Sequence, residues 1–351
     1  MRRLAAITAL ALAVCAAPAA AAPGNLGTGH DPGVAVDRAG TAHVAWFAAG
    51  APALEYCQVP RGKRRCTVRQ TLALPQEGGA KVQVLTPRRG VVVIVAPIVS
   101  DPGVIFTSAD NGATFAPRLT GDLGTIESAV AGPGDVLGLL SDTGPASFGR
   151  YGFDGAGPAE LPVRFGDALE SLETSLAPYG AGYAAFFSGS AMRSTLFGGL
   201  GDPNLQQSWI EGPRLGEDRT TPAAVGGRSG TFVAYVDRRG GRSDVRVRRL
   251  RGGKLRRAKR ISRDDPANLL AAQGPRGDIV VIWSDFDGTK FVRSRKGTRW
   301  TRARYLFRGH DAGDLRPALG RRGGWVVWDG SPGNLGSNPI RIAAIPRVSR
   351  R

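Results

Sequence analysis

The chain has 351 residues, 42 % of them hydrophobic, with 50 glycines and 24 prolines. That apolar content excludes a disordered chain, and its combination with abundant Gly and Pro points to many short strands joined by tight turns. The formal net charge of +18 is regional: residues 1–218 hold 16 basic and 19 acidic side chains, whereas residues 219–351 hold 31 and 10.

At the start of the chain, Arg2 and Arg3 precede an apolar run from Leu4 to Ala17 and a small-residue stretch from Pro18 to Ala22. This is the three-part layout of a secretory signal peptide. Residues 1–22 are therefore expected to be removed, leaving residues 23–351 as one secreted domain. Val14 stands where a lipid-attachment motif at Cys15 would need a small residue, so lipidation is not expected. No later stretch reaches the ~20 continuous apolar residues that cross a bilayer, so no membrane anchor is expected.

Cys57 and Cys66 remain as an even pair, and an oxidising compartment favours a disulfide over two buried thiols. With Arg61 and Gly62 at the centre of a tight hairpin turn, Cys57 is expected to face Cys66 directly across the ladder. No His lies nearby in sequence to activate a thiolate, so the pair reads as structural.

From there on, short apolar runs recur: His43 to Phe47, Val91 to Ala96, Val136 to Leu140, Tyr183 to Phe187, Phe232 to Val236, Ile279 to Trp283, and Trp325 to Trp328. Their centres are 44 to 49 residues apart. Each is preceded by a Gly-rich turn and a short segment of small residues, and most are followed by two more strand-like segments. Such a period with four strands per unit is the signature of an all-β fold, the β-propeller. Small residues suit the crowded strand nearest the axis; Trp, Phe and Ile suit the second strand, which lies between neighbouring blades. Seven blades of four antiparallel strands are expected, with six blades plus an irregular unit as the alternative. The seventh unit ends after its third strand, Ile340 to Ile345, so ring closure would need the segment Gly24 to Gly29.

One motif is specific. Ser108-Ala109-Asp110-Asn111-Gly112-Ala113-Thr114-Phe115 matches the Asp-box, Ser-x-Asp-x-Gly-x-Thr plus an aromatic, and Ser294 to Trp300 resembles a shortened copy lacking the Asp. In this turn Ser108, Asp110 and Thr114 supply hydrogen bonds, Gly112 the left-handed residue, and Phe115 an aromatic that packs back between strands. On these residues the chain resembles the sialidase-like, or BNR-repeat, propeller superfamily. The resemblance implies an architecture, since the box in that family lies away from the active site. Active sialidases also carry an Arg-Ile-Pro element, where this chain has Asp31 to Val36, and three arginines that grip a carboxylate. Arg193, Arg219, Arg238, Arg242 and Arg316 fall in connections expected on that face.

Charge sorts by connection. Those leaving the second strands hold Asp101, Asp142, Asp237, Asp285 with Asp287, and Asp329; those entering the first strands hold Asp31, Asp122, Asp167, Glu217, Asp218, Asp264, Asp265 and Asp311. In a propeller these share one rim, where ligands bind, and Asp101, Asp142, Asp237, Asp285 and Asp329 are read as its ligand rim. His30-Asp31 recurs as His310-Asp311, and ring closure would make a divalent cation site of these four; no other cofactor is expected. On the outer strands, Arg246, Arg248, Arg249, Arg256, Arg257, Lys259, Arg260, Arg293, Arg295, Arg299, Arg302 and Arg304 alternate with apolar residues and are expected to point outward. The function these features imply is a monomeric, non-catalytic binding module for a glycan or an anionic envelope polymer, with no intracellular nucleic acid as partner. The alternative is an exo-acting glycoside hydrolase of exo-α-sialidase type using Glu217, Asp237 and Asp285.

Overall fold

Every regular element among the described residues of the computed structural model is a β-strand. The structure describes residues 23–346 except 80, 99–100, 121–125, 133–135, 142–146, 154–162, 165–170, 190–193, 200–208, 212–221, 240, 267, 310–312 and 331–337. Residues 1–22, where the signal peptide is expected, lie outside the described residues, and Cys15 with them.

The strands, in chain order, are β1 (Gly24–Val36), β2 (Ala42–Ala48), β3 (Ala53–Val59), β4 (Val68–Ala73), β5 (Gln83–Leu85), β6 (Val92–Ile98), β7 (Asp101–Ser108), β8 (Ala116–Leu119), β9 (Ile126–Ala131) and β10 (Val136–Ser141). They continue as β11 (Ser147–Gly152), β12 (Val163–Arg164), β13 (Ser171–Tyr179), β14 (Gly182–Gly189), β15 (Ser194–Gly199), β16 (Trp209–Glu211), β17 (Ala223–Val225), β18 (Thr231–Arg239) and β19 (Arg242–Arg251). The last are β20 (Lys254–Leu255), β21 (Lys259–Ser262), β22 (Asn268–Gln273), β23 (Ile279–Asp285), β24 (Gly288–Ser294), β25 (Arg304–Arg308), β26 (Arg316–Gly320), β27 (Gly323–Asp329) and β28 (Asn338–Ile345).

All pairings among the described residues are antiparallel, and they follow chain order outward from the axis: β5 to β8, β9 to β12, β13 to β16, β17 to β19 with β20 and β21 outside, and β22 to β25. The sixth sheet has seven strands, in the order β26-β27-β28-β1-β2-β3-β4. The recurring apolar runs form the second strands, β2, β6, β10, β14, β18, β23 and β27, as the repeat requires. They are covered on both faces by neighbouring sheets, and Trp46, Trp283 and Trp328 are fully buried there. Phe47, Leu54 and Tyr56 pack against Val92, Ile94 and Phe106 of the next sheet; Phe232 and Val245 pack against Ile279 and Trp283. Each such large side chain contributes about 1.5–3 kcal/mol of burial.

The small-residue segments form the innermost strands. They neighbour one another in the cycle β1, β5, β9, β13, β17, β22, β26 and back to β1, and they line a central cavity of about 610 Å³. Radial antiparallel sheets around one axial cavity make the fold a β-propeller.

The closing device is β1. Its first half pairs with β28, from Gly24↔Ile342 to Gly29↔Asn338, and its second half pairs with β2, from Gly29↔Ala48 to Val36↔Ala42. Between them the ladder is irregular, and Asp31 adopts a left-handed φ of 52°.

Cys57 and Cys66 form a disulfide with Cα atoms 5.4 Å apart. The turn is where the sequence places it: Lys63 N–H donates to Pro60 O at 3.0 Å and Gly62 has φ 80°. The register is different from the direct opposition expected, however, because Cys57 pairs with Arg69 and Gln58 with Val68. A turn with positive φ only at its second central residue is unprimed and splays the strands instead of matching their twist. Residues 63–67 therefore run as a loop, and the disulfide crosses it. Replacing both cysteines by Ser is expected to cost about 2–3 kcal/mol from the released loop entropy, read as a lower urea midpoint; an unchanged midpoint would mean the loop is ordered without the cross-link.

Candidate functional site

The two kinds of connection that the sequence assigns to one rim do meet in the structure. Lys290, on β24, donates to Asp285 Oδ2 at 2.6 Å, in the connection leaving β23, and to Asp264 Oδ1 at 2.9 Å, in the connection entering β22. Burial works against the Lys290 charge, but the two carboxylates outweigh it and raise its pKa. Asp285 Oδ1 accepts the Asp287 N–H at 3.0 Å, so both oxygens of Asp285 are committed. Asp237 is buried with its Oδ2 2.9 Å from Arg246 Nε. Arg238 and Asp265 form an exposed pair at 2.6 Å.

A second cluster lies at the seam where β1 joins the first and last repeats. Asp329, at the end of β27, accepts the Asp314 N–H at 2.8 Å and the Asp31 N–H at 3.4 Å. His30 Nδ1 lies 3.0 Å from Asp31 Oδ2. Asp314 stands just before β26 and its carboxyl hydrogen-bonds Asp31. Burial pushes Asp314 up to about 6, with the Asp31 and Asp329 charges adding and Arg316 opposing. Asp31 moves down: burial resists its charge, but hydrogen bonds from His30 and Asp314 and the Arg316 charge prevail. Asp314 thus keeps its proton to higher pH than an ordinary carboxyl does and donates it to the Asp31 carboxylate. Asp314 and Arg316 reach the mouth of the axial cavity. Arg316 Nη1 donates to Leu315 O at 2.7 Å.

Chemically, this pair stores a proton. It does not have the spacing of a glycosidase, whose two carboxyl groups stand about 5–9.5 Å apart around the bond they cleave. Sequence reasoning missed Asp314; its signal was position, directly before an innermost strand at the closing seam.

The remaining candidates are distributed as follows. Asp142, Glu217, His310 and Asp311 lie outside the described residues, as do Arg193 and Arg219, and of Asp101 only its place at the start of β7 is described. Among the described residues no group of three or more His, Cys, Asp or Glu is arranged to hold a metal ion. Of the described arginines read as carboxylate grips, Arg316 alone lines the cavity.

Ser108 to Phe115 forms the turn its residue types dictate. Asp110 accepts the N–H groups of Ala113 and Thr114 at 3.0 and 2.9 Å and the Thr114 hydroxyl at 2.6 Å, while Gly112 N–H donates to Ser108 Oγ at 2.7 Å. These donors hold the Asp110 carboxyl far below the usual range. The turn is also a clasp between sheets. Gln58 and Gln70 donate to its carbonyls at 2.7–2.9 Å, Phe115 packs edge-on against Tyr56 at 4.8 Å, and a Cβ on Gly112 would fall 1.9 Å from the Tyr56 hydroxyl oxygen.

On the outer strands the arginines divide. Arg246, Arg248 and Arg249 do not point outward from an edge, because β20 and β21 lie outside β19 and leave these side chains half-buried. Arg246 also pairs with Asp244 at 2.9 Å, and Arg248 and Arg249 lie over Tyr235 and Phe232 at 5.9 and 5.5 Å. Arg256, Arg257, Lys259, Arg260, Arg295, Arg299, Arg302 and Arg304 are exposed as expected, while Arg293 is turned in onto Asp278.

The fold and its axial cavity define a β-propeller, and the solved structures it resembles are propellers too. The WD40 domain of Toxoplasma gondii coronin aligns with TM-score 0.57 at 12 % identity over 92 % of this chain and 85 % of its own. Virginiamycin B lyase of Staphylococcus aureus aligns with TM-score 0.55 at 12 % identity, over 91 % and 95 %. YCF48 bound to a D1 peptide gives 0.52 at 12 % identity, over 92 % and 93 %. At this identity the likeness establishes the fold alone. No protein-family model and no curated protein matches the chain.

The seam has a pH signature. Asp314 binds its proton more tightly folded than unfolded, where a carboxyl titrates near 3.9, so its contribution is complete below about pH 4 and is lost as pH rises to about 6. Asp31 acts in the opposite sense, only below about pH 4. The Asp314 side chain is 41 % exposed, and solvent screening trims the effect to about 1 kcal/mol or less. Melting temperature is expected to fall by about 2 °C between pH 4.5 and 7, and Asp314→Asn to flatten that slope. An equal slope in the variant would assign the effect elsewhere. At the clasp, Gly112→Ala, at φ 83° against Tyr56, is expected to destabilise by about 2 kcal/mol or more in denaturant melts.

Proposed function

We propose that the chain is a secreted, non-catalytic binding propeller of seven blades, sialidase-like in its blade turns, whose ligand is a carbohydrate or an anionic envelope polymer. The count of seven is supported by the cycle of innermost strands and by β1, which serves as the outermost strand of the last blade and the innermost strand of the first. Secretion rests on the leader-like start of the sequence and agrees with a disulfide in the mature region.

The observation that carries the non-catalytic reading is the commitment of the described rim carboxylates. Asp285 is held by Lys290 and a backbone N–H, Asp237 lies against Arg246, Asp329 caps two backbone N–H groups, and Asp31 and Asp314 bond to each other. A general acid and base for glycoside cleavage need a substrate between them, and these groups face their own chain.

Fluorogenic glycosides, including a sialoside, are expected to show no turnover above blank over the mildly acidic to neutral range. On a glycan array the same preparation is expected to retain at least one class of carbohydrate. Turnover abolished by Asp237→Asn would overturn the reading in favour of an exo-acting hydrolase.

A further inference from the structure

The outer edges of two neighbouring sheets carry cations with no acid among them. Residues 251–263 hold seven Lys and Arg, residues 295–308 hold six, and neither stretch contains Asp or Glu. The fold lays them side by side. Lys259 Nζ on β21 donates to Thr298 O at 2.8 Å across the boundary, and Ile261 packs on the same apolar cluster as Trp300 and Ala303. Gly297 is fitted to the neighbouring sheet: a Cβ there would fall 2.2 Å from the Phe232 ring. These contacts fix the spacing of the exposed side chains around them: Arg256, Arg257, Arg260, Arg299, Arg302 and Arg304. Arg260 has Asp244 at 3.7 Å; the other five make no ion pair among the described residues.

Building on the binding-module reading above, we propose that this boundary between the β17–β21 and β22–β25 sheets is the docking surface for an anionic polysaccharide. Guanidinium forks grip carboxylate, sulfate or phosphate with paired hydrogen bonds, and a row of them binds a linear polyanion by releasing its counterions. The surface favours a polysaccharide over a nucleic acid for two reasons. Single-strand binders present open aromatic faces to stack bases, whereas Trp300 is part-buried in the boundary and Tyr305 is covered by Lys290 and Arg308 at 5.1 and 4.6 Å. The disulfide belongs to an oxidising compartment, where polyanions are mainly envelope and extracellular polysaccharides.

The test uses the full mature chain on immobilised heparin and polygalacturonate, with duplex DNA as competitor. The variant carries Arg256→Ser, Arg257→Ser, Arg299→Ser and Arg302→Ser; a control removes the same charge elsewhere, through Arg38→Ser, Arg61→Ser, Arg89→Ser and Arg321→Ser. The surface variant is expected to bind at least about tenfold more weakly at 0.15 M salt, with its salt slope reduced by roughly 3, while the control stays near wild type. Should the fourfold variant fail to fold by circular dichroism, Arg257→Gln with Arg299→Gln carries the same test, with a loss of roughly threefold or more expected. Equal losses in surface and control variants, no retention of wild type, or DNA displacing the polysaccharide at equal charge concentration would each overturn the proposal. None of these outcomes touches the glycoside assay, and glycoside turnover would overturn the binding-module reading whatever the column shows.

Discussion

The split pairing of β1 is the contact on which the rest of the molecule depends. Each radial sheet is apolar on both faces, so it is stable only between two neighbours, and an open array would leave two such faces in water. Gly24–Gly29 and Gly29–Val36 lie in one strand yet serve opposite sides of the seam, one ladder to β28 and one to β2. The bend at Asp31 makes this possible, and the carboxylate of Asp329 holds it from the far side through the Asp31 N–H. The acidic cluster at the cavity mouth is thus first a piece of the closure, with its exchangeable proton a by-product of packing three carboxylates around one turn.

Much of this was legible in the sequence, and the reasons are physical. Second strands are buried on both sides, so they stand out as uninterrupted apolar runs; innermost strands are crowded, so they stand out as runs of Ala, Val and Ser. The missing fourth strand of the last unit showed as an absence, and Gly24 to Gly29 was the segment available to fill it. What the sequence hid are the side-chain pairings made across connections, within a unit or between two. Lys290 with Asp264 and Asp285, or Asp314 with Asp31, join residues that no period relates. The Cys57–Cys66 register slipped for a smaller reason: the turn was identified but its handedness was not, and handedness decides whether strands continue into a ladder.

Charge told a similar story. Alternation along β19 suggested an outer edge, but two further short strands cover it, and its arginines spend their guanidinium groups on Asp237, Asp244 and aromatic rings. The cations that remain in water sit one strand farther out. A net charge of +18 therefore mixes two populations, one that cements the boundary between sheets and one that faces whatever approaches from outside.

The shared strand also sets an order of events. Residues 24–29 must wait for residues 338–342, nearly the whole chain later, before their ladder can form. Contacts at such separation are the slowest to form, so the final sheet closes after its neighbours have assembled. Until that moment the growing arc has two raw ends, and a chain interrupted anywhere before β28 keeps them. Nicking by a protease in β1 or in β28 would attack the same sheet, which makes these two strands a single point of failure.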